Sequence, residues 1–326
     1  MAVSVVLTCH NEERFIAKAI ESIVEQTLYD EVDKIIVVND GSVDRSQDVL
    51  ECLAKKVKKL EVIQSKGIGV SAARNLAIEA ATGEFVAFLD GDDFWVPEKL
   101  KRQMPAFKVS PKVGLVYSDF YDFTQDDLSD LQLIPVRRYR VSRELPLFDY
   151  FVQDGPVIPS TMIVRRSVFE ELGLFDPRLR IGEDTDMCLR IAQFWYFQHV
   201  PGGLACKRRH GMNASGNLDQ WDPAAERVSE LMIARVPELA RLRRKRASYR
   251  RSKIASAYFA QGANTAGWRY LIAALRGDIF NFRAYAIVAM AMLPVSARRA
   301  VVSWIRRVRA LISGWIGLRG TDKVSV

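Results

Sequence analysis

The front of the chain alternates between two rhythms. Runs of β-branched and aliphatic residues recur as VSVVLTC (3–9), KIIVVND (34–40), LEVIQS (60–65), EFVAFLD (84–90) and VGLVYSDF (113–120). Their length and near-continuous apolar character predict strands buried on both faces. Between the first two, Phe15, Ile16, Ala19, Ile20, Ile23 and Val24 fall at helical spacing. Asn11 is the expected cap of that helix, with Glu12 and Glu13 in its first turn. Val70 to Ala81 predicts a further helix stopped by Gly83, and Pro97 opens another at its first turn. This order predicts an α/β fold with a doubly wound, mostly parallel sheet.

From about 124 to 158 the pattern weakens, and a loop-rich insertion is expected. STMIVRRS (160–167) returns as a strand, Glu183 to Phe194 as a helix, and GLACKRRH (203–210) as a last strand. From about 222 onward only helical patterns remain.

Composition adds one feature that the pattern lacks. Residues 223–326 hold 20 Lys/Arg and 5 Asp/Glu, a net of +15, whereas residues 1–222 carry a net of −7. A basic region of this size points to a polyanionic partner, and an anionic membrane surface is expected ahead of nucleic acid because no nucleic-acid-binding module is recognisable. Val301, Trp304, Ile305, Val308, Ile312 and Trp315 fall on one helical face, with Arg299, Arg306 and Arg307 opposite. A basic amphipathic helix with tryptophans suits the plane of a membrane interface. No apolar run reaches the ~20 residues of a membrane-spanning helix. The N-terminal run is short and soon meets Asn11, Glu12 and Glu13, so no signal peptide is expected. Cys9, Cys52, Cys188 and Cys206 are scattered without metal-type spacing, which predicts reduced thiols and a cytoplasmic location, with peripheral attachment to the inner face of the cell membrane.

Two strand ends are chemically loaded. Asn39-Asp40-Gly41 follows one, and on its own reads as a turn. Asp90, Gly91, Asp92 and Asp93 follow another, and three acids exceed what a turn requires. Ligands bind beyond the carboxyl ends of parallel strands, so both ends are expected to face one crevice. A carboxylate cluster there suits a hard divalent cation with substrate phosphates as co-ligands. Without the cation, each carboxylate–phosphate pair at about 4 Å costs roughly 4 kcal/mol at an effective dielectric near 20. A third acidic stretch, Glu183, Asp184 and Asp186, follows Gly182 at a helix start. Acids favour such positions through the helix dipole, but neighbouring like charges also raise the pKa of one of them toward that of a general base. GIGVSA (67–72), with Asp90 eighteen residues beyond it, mimics a dinucleotide fingerprint. It follows the third strand and leaves Asn39-Asp40 unexplained, which places a dehydrogenase well behind.

VSVVLTCHNEERFIAKAIESIVEQT, IIVVNDGSVDRS, GVSAARNLAIEAATGEFVAFLDGDD and GEDTDMCLR occur in this order. Together they resemble the family 2 glycosyltransferases, inverting enzymes of the GT-A fold, over about residues 2–212. The resemblance implies transfer of a sugar from a nucleotide-sugar, usually a UDP-sugar, with Mg²⁺ or Mn²⁺, to a saccharide or lipid-linked saccharide. It also implies roles. Thr8 borders the nucleotide, and Glu12 and Glu183 sit in the donor site. Asp40 matches the base- or ribose-binding acid, and Arg74 a nucleotide contact. Asp90 lies toward the ribose or metal, and Asp92 toward the metal. His210 stands where some relatives place a metal or phosphate contact. Asp184 matches the base that deprotonates the acceptor. The Q-x-x-R-W motif of processive relatives is not found, so single-sugar addition in polysaccharide biosynthesis is expected. The expected division is a catalytic domain at 1–222, with a nucleotide half (about 1–118) and an acceptor half (119–222), followed by a basic helical region at 223–326. A nucleotidyltransferase would bring a Gly-rich basic phosphate loop that TCHNEER does not supply, and a nucleotide-sugar-binding protein without transferase activity has no need of both acid sites.

Overall fold

A computed structural model describes residues 1–136, 147–153, 157–210 and 218–293. The chain divides into two compact units, Met1–Leu242 and Arg243–Val326.

In the first unit, β1 (Val3–Cys9) is buried along nearly its whole length. It pairs in parallel with β2 (Val32–Asp40) on one edge and with β4 (Phe85–Asp90) on the other. β3 (Leu60–Ser65) adds a parallel edge beyond β2. An interior strand with helices on both faces has no solvated side, which is why the centres of β1, β2 and β4 are apolar, whereas the edge strand β3 carries Glu61 and Gln64. Register places three strand ends together: Thr8 is level with Val38 and with Asp90, and Cys9 with Asn39.

Beyond β4 the sheet becomes mixed. Its order is β3-β2-β1-β4-β8-β6-β9-β5, formed with β5 (Phe94–Trp95), β6 (Val113–Phe123), β8 (Ile163–Arg165) and β9 (Tyr196–Arg208), while β7 (Gln132–Ile134) pairs with β6. β8 is antiparallel to both β4 and β6, whereas β6 and β9 run parallel. Several expected elements shift. STMIVRRS holds only the three-residue β8, preceded by a 3-10 turn at Pro159–Thr161 and followed directly by helix, so Arg166 and Ser167 are helical. The last strand begins at Tyr196, earlier than its apolar pattern indicated, and the helix after Pro97 begins at Lys99.

Helices α1 (Ile16–Val24), α2 (Ser46–Ala54), α3 (Val70–Ala80), α4 (Lys99–Gln103), α5 (Leu147–Gln153), α6 (Arg166–Leu172), α7 (Glu183–Ile191) and α8 (Trp221–Arg235) complete the unit. α1 buries Ile16, Ala19, Ile20 and Ile23 on one face. Asn11 is not its cap. The helix starts at Ile16, and Asn11 adopts a left-handed conformation (φ 59°) in the preceding loop. Its Oδ1 there accepts the Val43 N–H at 2.8 Å, and its own N–H donates to Ser42 Oγ at 2.9 Å. A short polar side chain tolerates that backbone region, and the two bonds join the β1 and β2 loops.

α3 positions the other half of the site. Ser71, Arg74 and Asn75 share one helical face. Ser71 Oγ donates to the Leu179 carbonyl at 2.7 Å. Asn75 clamps Phe175 twice, donating to its carbonyl at 2.8 Å and accepting its N–H at 2.9 Å. These bonds anchor the segment that leads into α7.

The second unit contains α9 (Arg243–Ala260), α10 (Asn264–Gly277) and α11 (Phe282–Met292), packed around Ala255, Leu271, Ala274 and Ala284. The amphipathic face from Val301 to Trp315, with Arg299, Arg306 and Arg307, lies outside the described residues. No described helix is long and apolar enough to cross a membrane.

The Asn75 clamp carries a prediction. Asn75→Ala strands a backbone N–H and a carbonyl at Phe175, and stability is expected to fall by about 1–3 kcal/mol. The urea midpoint reads this directly, and an unchanged midpoint contradicts the clamp.

Candidate active site

The carboxyl end of β4, level with those of β1 and β2, meets the N-terminus of α7 through one side chain, Arg74. Its Nη2 donates to Asp90 Oδ1 at 2.8 Å and its Nη1 to Glu183 Oε1 at 2.6 Å. The guanidinium is almost wholly buried, and its ring-face partner is Phe175, 5.6 Å from centroid to Cζ. Burial works against its charge, but Asp90 and Glu183 more than offset this and hold it firmly protonated.

Around Asp90 the backbone makes a tight turn with three more carboxyl groups. Asp93 is buried, its Oδ2 accepting from Ser160 Oγ at 2.6 Å and its Oδ1 from the Arg208 N–H at 2.9 Å. Burial, and then the charges of Asp92 and Asp90, push its pKa well up. Asp92 Oδ2 lies 2.9 Å from His210 Nε2. Burial and Asp90 raise its pKa, while His210 pulls it down. Glu12 reaches over Gly91. Its Oε2 is buried without a hydrogen-bond partner, and its pKa stands well above the usual carboxylate range through burial and the charges of Asp92, Asp90 and Asp93. Gly91 is required for this approach: a Cβ there would lie 1.9 Å from Glu12 Oε2 and 2.9 Å from the Thr8 carbonyl.

The 3-10 turn at Pro159–Thr161 braces the cluster from below. Ser160 Oγ accepts the Asp90 N–H at 3.1 Å while donating to Asp93. Trp95 Nε1 donates to the Ser160 carbonyl at 2.9 Å. Lys99 Nζ and Gln103 Nε2 both donate to the Thr161 carbonyl at 3.0 Å. Lys99 is fully buried, and burial alone drives its pKa well below the usual value.

Asp40 sits at the end of β2, facing the 65–69 loop. Its carboxylate accepts from Ser65 Oγ at 2.6 Å and from the Ile68 and Gly69 N–H groups at 2.7 Å each. Burial raises its pKa, but these bonds outweigh it and hold the group below the ordinary value. The loop packs close against the β2 turn, since a Cβ on Gly41 (φ 69°) would lie 2.7 Å from the Gly67 nitrogen. The GIGVSA segment therefore gives its amide hydrogens to the protein's own Asp40, and those two are not directed to a pyrophosphate as a dinucleotide fold requires.

Asp184 opens α7 beside Glu183, its Oδ1 accepting the Thr185 N–H at 2.6 Å. Burial, reinforced by the Glu183 charge and opposed by Arg74, raises its carboxyl from 3.8 to about 7. Asp186 faces away from this chemistry: it is fully buried between Arg190 and Arg235, at 2.9 Å from each.

The structure thus gathers Glu12, Asp90, Asp92, Arg74, Glu183 and His210 into one connected network, with Thr8 level with Asp90 in the sheet. Asp40 is bound into the neighbouring loop. The sequence counted Asp93 in the cation-binding cluster without a role of its own, and assigned none to Ser160 or Arg208. Arg208 fell within the expected last strand, and its guanidinium lies 4.5 Å from the Phe15 ring and 4.6 Å from the Phe123 ring, with its Nε donating to the Asp92 carbonyl at 3.3 Å.

Among the described residues, no three His, Cys, Asp or Glu side chains are arranged to hold a metal ion by themselves. The donor set nonetheless fits a hard dication completed by phosphate oxygens. Asp92 and His210 are in contact, and the unpartnered Glu12 oxygen is buried in the negative field of Asp92, Asp90 and Asp93.

A mixed α/β sheet with this acid-loaded crevice defines the GT-A class. The profile of glycosyl transferase family 2 matches residues 4–173, and the chain belongs to that family. A glycosyltransferase of Nostoc sp. is 31% identical over 217 residues, which cover 65% of this chain and 66% of the relative. EpsH of Bacillus subtilis, a glycosyltransferase by name, is 42% identical over 103 residues, 32% of this chain and 29% of its own length. The chain therefore spans no more than about two thirds of either relative. Two solved structures share the fold at 18% identity and a TM-score of 0.61. One is Staphylococcus aureus TarS 1-349 in complex with UDP-GlcNAc, covering 85% of this chain and 81% of that one. The other is the mannosyltransferase PcManGT of Pyrobaculum calidifontis in complex with GDP-Man and Mn²⁺, covering 95% and 86%.

Arg74 is a charge shared by two carboxylates, and removing it leaves both facing each other. Arg74→Met is expected to destabilise the fold by about 3 kcal/mol, the lower end for a broken buried pair because Asp90 retains some solvent. Adding Glu183→Gln to that variant removes one stranded charge and is expected to recover part of the loss. Chemical denaturation measures both steps, and equal stability of the wild type and Arg74→Met contradicts the bridge.

Proposed function

We propose that the chain is an inverting, non-processive glycosyltransferase that moves one sugar from a nucleotide-sugar, a UDP-sugar in particular, to a saccharide or lipid-linked saccharide. One observation carries this reading: Arg74 ties Asp90, at the end of β4, to Glu183, which places Asp184 beside the acidic crevice with its carboxyl at about 7. A carboxyl at that value is half ionised near neutral pH, where a general base is most effective.

In this reading residues 1–118 form the nucleotide half and 119–222 the acceptor half of the catalytic region. Thr8 and Asp40 border the nucleotide, and Asp90 and Arg74 orient the ribose and diphosphate. Asp92 and His210 would hold Mg²⁺ or Mn²⁺. When bound, such an ion offsets the charge that builds on the departing diphosphate. Asp184 accepts the proton of the acceptor hydroxyl as that oxygen bonds to the sugar carbon, on the face opposite the leaving group. Glu183, held by Arg74, keeps Asp184 aimed and its pKa high. A protein that only bound nucleotide-sugars has no use for a base poised in this way. The basic C-terminal region rests against the anionic headgroups at the inner face of a cell membrane, in the cytoplasm.

The pH dependence has a definite sign. Below about 7 Asp184 is protonated and accepts no proton, so transfer falls as pH falls through that value. Asp184→Asn is expected to bind the nucleotide-sugar as the wild type does, to lose transfer by at least about 100-fold, and to lose the acid limb of the profile. Donor turnover together with calorimetric donor binding measures this. Near-normal turnover in the variant removes Asp184 from the role of base.

A further inference from the structure

We propose that the turn joining α10 to α11 is an insertion tip that enters the headgroup layer of an anionic bilayer. This inference rests on the proposed placement of the basic region against a membrane, and it assigns that contact to particular side chains. Ile279, Phe280 and Phe282 are 64%, 73% and 80% exposed, and Tyr285, one helical turn further on, is about half exposed. Three large apolar side chains within four consecutive positions stand outside the small core formed by Ala255, Leu271, Ala274 and Ala284.

The tip is rigid. Asn281 caps α11, its side chain accepting the Ala284 N–H at 3.2 Å, while its Nδ2 donates to Ser248 Oγ at 2.9 Å. Asp278 shapes the turn by accepting the Phe280 N–H at 2.9 Å. The backbone that carries the aromatic rings is therefore set before any partner arrives, so the ordering cost of binding is confined to side-chain rotamers.

The tip is also ringed by cations. Gly277 packs so close to the start of α9 that a Cβ on it would lie 3.3 Å from Ser248 Cβ and 3.6 Å from the Arg244 carbonyl. That contact sets the turn beside Arg243, Arg244 and Lys245, all exposed, with exposed Arg276 and Arg283 on its own two helices. Arg283 lies 5.7 Å from the Tyr249 ring. Asp278 is the one acid from 243 to 293. An apolar projection surrounded by basic residues matches the order of a bilayer surface, where anionic headgroups overlie acyl chains.

Charge also selects among occupants. Residues 243–326 hold 17 Lys/Arg and 2 Asp/Glu, so a second copy of this unit meets it with like charge. Residues 294–326 contribute 7 bases and 1 acid, and covering the tip with them adds positive charge instead of neutralising it. An anionic lipid surface supplies the opposite sign and the apolar phase together.

The test uses the full chain and sedimentation with phosphatidylcholine vesicles, with and without phosphatidylglycerol. Wild-type protein is expected to bind the anionic vesicles. Phe280→Ser combined with Phe282→Ser is expected to weaken binding by about tenfold or more. Arg276→Ser and Arg283→Ser each weaken it by about fivefold, and only on anionic vesicles. Because these side chains lie outside the core, the thermal midpoint should not move. If it does, hydrogen exchange on the wild type decides instead, with amides 278–285 slowing when anionic vesicles are added. Wild-type binding that the tip variants keep, or exchange at 278–285 that vesicles leave unchanged, overturns the tip while the membrane placement stands. Wild-type protein that sediments with neither vesicle overturns both. Binding to an RNA oligomer, lost in the same variants and without vesicle binding, assigns the surface to nucleic acid and overturns the inference as well.

Discussion

Glu12, Asp90, Asp92 and Asp93 crowd the end of β4, and the fold must hold four carboxyl groups where they repel one another. Each is handled differently. Asp90 shares Arg74 with Glu183, Asp92 meets His210, and Asp93 is satisfied by Ser160 and the Arg208 amide. Glu12 keeps one buried oxygen without a partner, and its pKa rises accordingly. The compensation is thus incomplete at Glu12. Local repulsion of this kind is costly to fold and useful to chemistry, because a dication together with a diphosphate relieves it.

The same arrangement explains why α3 is so heavily used. Its Ser71, Arg74 and Asn75 bind the segment before α7, the α7 acid and the β4 acid from one helical face. The spacing between Asp90, at the end of β4, and Glu183 and Asp184, at the start of α7, is therefore set through one helix. Ser160 performs a matching task from beneath, and Trp95, Lys99 and Gln103 fix the turn that carries it.

Much of this was legible in the residues. The β-branched runs located β1, β2, β3, β4 and β6 because buried strands tolerate few polar side chains, while the two-residue β5 left no such run. The strand-end acids were visible as an excess over what turns need. Other features depend on contacts between distant segments and leave no local mark. Asn11 has the composition of a helix cap, but the loop between β1 and α1 uses it to bind Val43. The short β8 is placed antiparallel by its neighbours, and nothing in its three residues indicates that direction. Ser160 becomes significant only when β8 lies beside β4. Gly91 was readable as a turn glycine, while its closer constraint, the Glu12 carboxyl above it, comes from 79 positions upstream. The charge contrast between residues 1–222 and 223–326 was plain from composition, and the two compact units divide at 242, inside the basic region.

The proposed function depends on one condition, that the acidic end of β4 accepts a nucleotide diphosphate only together with a divalent cation. Isothermal titration of UDP into the wild-type chain, once with Mn²⁺ and once with EDTA, measures it most directly. Saturable binding with Mn²⁺ and a loss of at least about tenfold in affinity with EDTA are expected. Equal affinity in the two titrations would contradict the condition.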